Sequence, residues 1–148
     1  MSEFAGIDIR LIGEADLDLL VSADTTVFDD PVDPKLAKAY LAHSDYIIAL
    51  ASEGDKVVGM ATGMFYFHPD KPLEFFIQEV GVAESHQRRG IAFRLMGLLL
   101  DAARDRDAQS AWVATETDND AANGLYTRMG SSGQEMIYYE FDLAAPKE

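Results

Sequence analysis

The sequence predicts a single α/β domain in which helices flank a central mixed β-sheet. Apolar runs of strand length alternate with segments of helical periodicity along the chain. The length of 148 residues suits one domain, and no linker, internal repeat or low-complexity stretch divides it. We therefore treat residues 1–148 as one domain with the element order βαα-βββ-α-β-α-β.

The first 82 residues predict four strands and two helices. The first helix carries Leu17, Leu20 and Val21 on one face, and Pro34 suits the first position of the second helix. Residues 52–55 join two apolar runs as a hairpin turn. The predicted strands are Ile7–Ile12, Tyr46–Ala51, Lys56–Phe67 and Leu73–Val82, and the predicted helices are Ala15–Ala23 and Pro34–Leu41.

Residues 88–143 predict two further helices and two further strands. The first of these helices has one continuous apolar stripe, and Gly130 follows the second helix, where a glycine often ends a helix. In the last strand, Tyr138, Glu140 and Asp142 alternate with apolar residues. The predicted helices are Arg88–Arg104 and Asn119–Met129, and the predicted strands are Ala111–Glu116 and Glu135–Leu143.

The composition argues against several classes of protein. With 12 basic and 26 acidic side chains the formal net charge is −14, so we expect no nucleic-acid partner. The absence of cysteine excludes disulfides, zinc–thiolate and iron–sulfur sites, and a cysteine nucleophile. His43, His68 and His86 show no metal-binding spacing, so we expect no metal. His86 precedes the turn at residues 87–92 and could contact a phosphate there, but we expect it to be an exposed turn residue.

The sequence shows neither a membrane span nor a secretory signal. No apolar run approaches the roughly 20 residues that a membrane helix needs, and the start lacks the basic and apolar regions of a signal peptide. We therefore expect a cytoplasmic protein without a membrane partner. The strong acidity has two interpretations, attraction of polycations or solubility alone.

The segment from Gln87 to Ala92 has the arrangement of a phosphate-binding turn. It follows a strand that ends at Val82 and opens a long helix, whose first N–H groups lack partners inside the helix. Gly90 lets an anion approach the backbone, and Arg88 and Arg89 add positive charge. Neither the Walker pattern nor GxGxxG is present, so nucleotide triphosphate hydrolysis is not expected.

Two patterns resemble the GNAT family of acetyl-CoA-dependent N-acetyltransferases. The pattern Gln/Arg-x-x-Gly-x-Gly/Ala is met by residues 87–92. The pattern Asn-x-x-Ala-x-x-Leu-Tyr-x-x-x-Gly is met from Asn119 to Gly130, in the right order after one intervening strand. Ser131 departs from the Phe of many members at a packing position. The resemblance covers nearly the whole chain and implies the GNAT fold.

The resemblance implies a site for acetyl-CoA. The turn Gln87, Arg88, Arg89, Gly90, Ile91 and Ala92 would hold the pyrophosphate, and the backbone of Val80 and Val82 would pair with the pantetheine arm. Asn119 would contact the cofactor, and Tyr126 would lie near the sulfur and protonate the departing thiolate. Periodicity alone favours Tyr126 as a core aromatic residue, and the second pattern reverses that preference.

Within the family the chain looks most like the aminoglycoside 3-N-acetyltransferases. The similar pieces include the Phe28-Asp-Asp loop, the run 56–61, the segment 79–92 and the ending 138–142. A polycationic amine needs a field of carboxylates. The candidate substrate-binding acids are Asp29, Asp30, Glu79, Glu116, Asp118, Glu140 and Asp142. Each of these acids except Glu79 is also compatible with a solvated surface, and Asp33 and Asp118 with helix capping.

Glu79 is the candidate general base for direct transfer of the acetyl group to the amine. It is expected on the strand face that carries Phe75 and Ile77, where an unused charge is rare. Tyr138 is a second candidate tyrosine, either for proton transfer or as part of the pocket lining. No covalent acyl-enzyme is expected, since no Ser/His/Asp spacing resembles a triad.

Other interpretations of the sequence stay open. The acceptor could instead be a polyamine, a protein N-terminus or a small metabolite amine. A module that binds acetyl-CoA without turnover would keep residues 87–92 but would not need Glu79 or Tyr126. The aromatic C-terminal strand is a candidate for pairing between subunits of a homodimer.

Overall fold

The computed structural model describes residues 4–144, which belong to two compact units, residues 4–114 and residues 115–144. The first unit contains five strands, three α-helices and two short 3-10 turns, at Glu14–Asp16 and Glu84–His86. Its strands are β1 (Ile7–Leu11), β2 (Tyr46–Glu53), β3 (Lys56–Tyr66), β4 (Glu74–Val82) and β5 (Ser110–Trp112). Its helices are α1 (Leu17–Val21), α2 (Pro34–Ala42) and α3 (Ile91–Asp105); the second unit contains α4 (Asp120–Arg128).

The five strands form one mixed sheet in the order β1-β2-β3-β4-β5. The first four strands are antiparallel neighbours, whereas β5 runs parallel to β4 after the crossover through α3. The β4–β5 pairing covers only Glu74–Phe76 against Ser110–Trp112. Trp112 holds this short contact by stacking on Phe76, with ring centroids 4.3 Å apart. The predicted mixed α/β architecture is confirmed.

The core lies between the central strands and α3. β2 and β3 are apolar on both faces because they are buried in the middle of the sheet. The α3 stripe that the sequence predicts is buried at Ile91, Leu95 and Leu99. Gly59 allows the helix to pack directly on β3, since a Cβ there would lie 3.2 Å from both Ile91 and Leu95 side chains.

A β-bulge in β4 changes which side chains share a face. Thr62 of β3 pairs with Glu79, whereas the next residue, Gly63, pairs with Ile77, so Gln78 is an extra residue in β4. Side chains alternate along a strand, and one inserted residue therefore reverses the alternation beyond it. The prediction that Glu79 shares a face with Phe75 and Ile77 is wrong for this reason.

The face that carries Glu79 is covered by the segment between α1 and α2. Gly81 lies two residues further along the same face, and a Cβ at this position would be 2.5 Å from the carbonyl oxygen of Val27. The close approach of this backbone requires glycine at position 81. Glu79 therefore points towards the loop that contains the early aspartates rather than towards α3.

Several element boundaries differ from the prediction for local reasons. α3 begins at Ile91 rather than Arg88, because Arg88 and Gly90 have φ values of 64° and 82°, which a right-handed helix does not accept. β5 ends at Trp112 rather than Glu116, since its pairing with β4 stops there. No helix within residues 4–144 is long and apolar enough to cross a membrane.

In the second unit the helix is confirmed and the last strand is not. Asn119 caps α4 by accepting a hydrogen bond from the backbone N–H of Ala122 at 3.1 Å, and Gly130 follows the helix with φ of 95°. Residues 135–142 carry no secondary structure, because no described strand supplies the backbone hydrogen bonds that a strand needs. The predicted apolar face is exposed, from Tyr139 at 75% to Leu143 at 93%.

We expect Gly63→Ala to destabilise the protein by about 1–3 kcal/mol, the usual range for overpacking a core. A Cβ at Gly63 would lie 2.1 Å from the ring of Phe75, which is fully buried. The matched control is Gly97→Ala on α3, where a Cβ meets nothing within 4 Å and where alanine favours a helix. Urea unfolding measures both variants; equal stability of the two would contradict the packing argument.

Candidate active site

A cavity of about 360 Å³ opens on the face of the sheet that carries Glu79. Its walls come from α1, the α1–α2 loop, α2 and the three strands β2, β3 and β4. Among the described residues, 4–144, its lining includes four carboxylates, those of Asp29, Asp30, Asp33 and Glu79, and no Lys, Arg or His. The remaining lining residues are Leu20, Phe28, Pro31, Val32, Leu36, Ala37, Tyr40, Ile48, Thr62 and Gln78. The cavity therefore combines apolar walls with a concentration of negative charge.

The three aspartates of the α1–α2 loop have two different roles: one caps a helix, and the other two have side chains that are exposed. Asp33 caps α2, accepting hydrogen bonds from the backbone N–H groups of Lys35 at 2.8 Å and Leu36 at 3.2 Å. The expected capping role of Asp33 is therefore confirmed. Asp29 and Asp30 are exposed and make no hydrogen bond or ion pair with any residue between 4 and 144. These two carboxylates are available to a cationic ligand.

Glu79 has the environment of a carboxylate that holds its proton more tightly than usual. Partial burial raises its pKa, and the negative charges of Asp29 and Asp30 raise the pKa further. Its backbone N–H donates to the hydroxyl oxygen of Thr62 at 3.1 Å. The side chain stays accessible from the cavity, so it can reach a ligand bound there. A base with a raised pKa is the kind that accepts a proton from an ammonium group near neutral pH.

Tyr40 also lines the cavity, and the sequence analysis did not identify it. Its hydroxyl donates to the carbonyl oxygen of Ile47 at 2.7 Å and lies 3.2 Å from both the carbonyl oxygen of Gly63 and Oε1 of Gln78. Burial raises its pKa, so the hydroxyl keeps its proton. The only signal in the sequence is an aromatic residue on a helix, which is also the ordinary signal of a core residue.

The turn before α3 combines a fixed backbone with exposed cations. The side-chain amide of Gln87 donates to the carbonyl oxygen of Val82 at 3.0 Å, which ties the turn to the end of β4. Gly90 occupies the N-cap position of α3 in a left-handed conformation, and no side chain caps the helix. Arg88 and Arg89 are exposed beside these first N–H groups, whereas Ile91 is buried. The uncapped N-terminus and the arginines fit an anionic group such as a phosphate.

One edge of β4 is open beside this turn. Because β5 pairs only with residues 74–76, the segment Ile77–Val82 has no strand partner on that edge among the described residues. Val80 and Val82 lie in this open segment. Its outward backbone groups are available to an extended ligand that pairs as an added strand does.

His86 is not the exposed residue that the sequence predicted. Its side chain is 12% exposed, and its Nε2 lies 3.3 Å from Oε2 of Glu53 while its Nδ1 lies 2.7 Å from the hydroxyl of Ser85. These contacts join the turn after β4 to the end of β2. No group of three or more His, Asp or Glu residues within 4–144 is arranged to hold a metal ion.

The other predicted site residues lie in the second unit. The side-chain oxygen of Asn119 is engaged in the helix cap, and burial raises the pKa of Tyr126, which keeps its hydroxyl protonated. Tyr138 is 83% exposed and its hydroxyl donates to Glu140 at 3.3 Å. Glu116, Asp118 and Asp142 are exposed. The roles assigned to these residues stay predictions.

Comparison with known proteins identifies relatives by sequence and by fold. Residues 17–131 match the family model for the GNAT acetyltransferase family. The N-alpha-acetyltransferase RimI of Mycobacterium tuberculosis is 36% identical over 112 residues, which are 74% of this chain and 67% of that protein. N-alpha-acetyltransferase 30 of Schizosaccharomyces pombe is 28% identical over 89 residues, 60% of this chain and 59% of that protein.

Among solved structures, this chain resembles an aminoglycoside acetyltransferase, meta-AAC0020, from an uncultured soil metagenomic sample. The TM-score is 0.85 at 16% sequence identity, over 96% of this chain and 99% of that one. The same protein has been solved in complex with sisomicin. This likeness shows a shared fold, and the family match spans most of the chain and both of the motifs found in the sequence. The protein belongs to the GNAT family of acetyltransferases.

Proposed function

We propose that this protein transfers an acetyl group from acetyl-CoA to an amine of a small polycationic acceptor, with aminoglycosides as the foremost candidates. The observation that carries the proposal is the cavity, whose lining within the part of the chain that the structure describes has four carboxylates and no cationic side chain. A molecule with several ammonium groups complements such a cavity, whereas an anionic or neutral acceptor gains nothing from it. The sequence resemblance further suggests the 3-amino group as the position acetylated.

The first unit supplies what the acetyl donor needs. The uncapped N-terminus of α3, with Arg88 and Arg89 beside it, suits the pyrophosphate of CoA. The open edge of β4 at Val80 and Val82 suits the amide groups of the pantetheine arm. Acetyl-CoA supplies a thioester carbonyl to the amine nucleophile. Asn119 is proposed as a further cofactor contact.

Glu79 is proposed as the general base, acting directly or through a water molecule. It removes a proton from the acceptor ammonium, and the free amine forms a C–N bond with the acetyl carbon to give a tetrahedral adduct. As this adduct collapses, the C–S bond breaks and the nitrogen loses its second proton to water. The backbone N–H near Val80 stabilises the developing oxyanion. Tyr126 is proposed to protonate the departing thiolate, so the products are the N-acetylated acceptor and CoA. Its raised pKa supports this role, since an acid must start protonated.

The remaining predicted acids and Tyr138 are proposed as secondary contacts to the acceptor. Asp29 and Asp30 are the stronger candidates, since both line the cavity and neither has a protein partner among the described residues. Glu116, Asp118, Glu140 and Asp142 add negative charge in the second unit. Tyr138 has an exposed ring that is able to stack on a ligand.

A second candidate acceptor is the α-amino group of a protein N-terminus. The observation that favours it is the 36% identity to a mycobacterial N-alpha-acetyltransferase. Such an acceptor presents one ammonium group on an extended chain, so it engages a single carboxylate. The several carboxylates of the cavity remain unexplained by this candidate.

The experiment that tests the function is CoA release from acetyl-CoA with a panel of acceptors: sisomicin, kanamycin, spermidine and a short peptide with a free N-terminus. We expect fast release with the aminoglycosides, and product mass and NMR would locate the acetyl group. Release with the peptide alone would replace the proposed acceptor by the second candidate. No release with any amine, together with tight acetyl-CoA binding, would contradict the catalytic proposal.

We expect Glu79→Gln to lower turnover by about 10²–10⁴-fold, the usual contribution of a general base, while acetyl-CoA affinity stays nearly unchanged. In the wild type, kcat/KM rises with pH as Glu79 loses its proton. Because the pKa of Glu79 is raised, this rise is centred above the ordinary glutamate value of about 4.3.

The matched control for Glu79→Gln is Glu14→Gln, which removes the same charge from an exposed position outside the cavity. It should retain the wild-type rate and the wild-type pH profile. If Glu79→Gln kept wild-type turnover and its kcat/KM still rose with pH as in the wild type, Glu79 would be eliminated as the base.

We also propose that a second copy of the chain covers the exposed C-terminal segment. Met136, Ile137, Tyr139, Phe141 and Leu143 are each 75–93% exposed. Burying about 150 Å² for each of these side chains in both copies gives an interface within the stable range of about 1,200–2,000 Å². The receiving surface is the outer edge of β5, which ends the described sheet and leaves Trp112 45% exposed.

We expect the wild type to be a dimer and the double variant Tyr139→Lys/Phe141→Lys to be a monomer. Lysine on the apolar face of the segment opposes its burial. Light scattering after size-exclusion chromatography measures the mass of both proteins. A monomeric wild type at micromolar concentration would contradict this proposal.

A further inference from the structure

We propose that Tyr40 is a positioning residue that holds the β4 bulge in register and thereby directs Glu79 into the cavity. This inference rests on the proposed function of Glu79 as the base. It concerns a residue of α2 that neither the motifs of the sequence nor the family patterns single out. Tyr40 does not need to touch either substrate to have this effect.

The hydroxyl of Tyr40 lies where three strands meet at the bulge. It donates to the carbonyl oxygen of Ile47 in β2 at 2.7 Å and lies 3.2 Å from the carbonyl oxygen of Gly63 in β3. The side-chain amide of Gln78, the extra residue of β4, is also 3.2 Å away. The carbonyl oxygen of Ile47 is the nearest of the three acceptors of the hydroxyl proton, and the carbonyl oxygen of Gly63 and Oε1 of Gln78 are the two longer alternatives. One side chain from α2 thus connects all three strands.

A bulge interrupts the regular hydrogen bonding between two strands, so contacts from outside the ladder help to fix which residue is the extra one. The extra residue Gln78 has no pairing partner in β3, where Gly63 pairs with Ile77 and the preceding Thr62 pairs with Glu79. If Gln78 returned to the regular ladder, every following side chain would move to the other face of the sheet. Glu79 would then point towards α3, away from Asp29 and Asp30.

Two neighbouring side chains support Tyr40 in this position. The hydroxyl oxygen of Thr62 accepts the backbone N–H of Glu79 at 3.1 Å, so consecutive residues of the bulge are held from β3 and from α2. The ring of Tyr46 packs against the ring of Tyr40 with centroids 5.1 Å apart. The Tyr46 hydroxyl itself makes no hydrogen bond with any residue in 4–144.

The test compares Tyr40→Phe with the matched control Tyr46→Phe. Both variants remove one hydroxyl from neighbouring, packed rings, and only the first removes a bond to the bulge. Amide hydrogen exchange is measured on peptides that span residues 76–82. Turnover, acceptor KM and acetyl-CoA Kd are measured in parallel with the acceptor that the panel identifies.

For Tyr40→Phe we expect about tenfold faster exchange at residues 78–79, the effect of losing one net hydrogen bond of about 1.4 kcal/mol. We expect kcat to fall about tenfold or more, with acetyl-CoA Kd within about twofold of wild type. Tyr46→Phe should match the wild type in every measurement. A similar fall in both variants would show a merely structural role and overturn the proposal.

The exchange measurement separates the two proposals, since it needs no substrate. Unchanged exchange in Tyr40→Phe would overturn the role of Tyr40 even in an active enzyme. Faster exchange with unchanged kcat would overturn its link to Glu79. If the wild type acetylates no amine, the proposed function fails while the exchange result still decides whether Tyr40 holds the bulge.

If Tyr40→Phe fails to fold, Gln78→Ala removes the other partner of the same contact. Faster exchange at residue 79 in that variant would support the proposal, and wild-type exchange would contradict it.

Discussion

The candidate site depends on a single inserted residue in β4. Gln78 has no partner in β3, and its insertion places Glu79 on the face opposite to that of Phe75 and Ile77. On one side of this point the strand packs its apolar residues under α3, and on the other it presents a carboxylate to a cavity. In a regular strand, residue 79 would lie on the same face as residues 75 and 77. The bulge therefore moves Glu79 from the face that packs in the core to the face that lines the cavity.

Different parts of the nine-residue strand β4 have different structural roles. Its first three residues bind β5, its middle forms the bulge, and its last residues leave one backbone edge open beside the uncapped start of α3. The carboxylate that suits proton removal and the backbone edge that suits an extended donor thus belong to the same short segment. Direct transfer between two bound substrates needs such proximity, because the reacting atoms must meet without a carrier group on the protein.

The sequence was sufficient for the elements with strong periodicity or a specific terminal residue. The stripe of α3, the Asp33 cap of α2 and Gly130 after α4 all have local causes, and the structure agrees. The face of Glu79 was wrong because a bulge is a property of two strands, visible only once β3 and β4 are paired. The last strand was wrong because alternation indicates that a segment can pair and does not supply its partner. Tyr40 was missed because its three polar neighbours come from three separate strands.

The crowding of carboxylates around the cavity has a consequence for the folded state itself. Asp29, Asp30 and Glu79 repel one another when the cavity holds only water, and this repulsion adds to the effect of burial in raising the pKa of Glu79. The unfolded chain separates these charges and is free of that repulsion. A ligand that neutralises them binds the folded chain alone and stabilises it by mass action. Heat resistance of this protein therefore reports which cations its cavity accepts, whether or not they are acetylated.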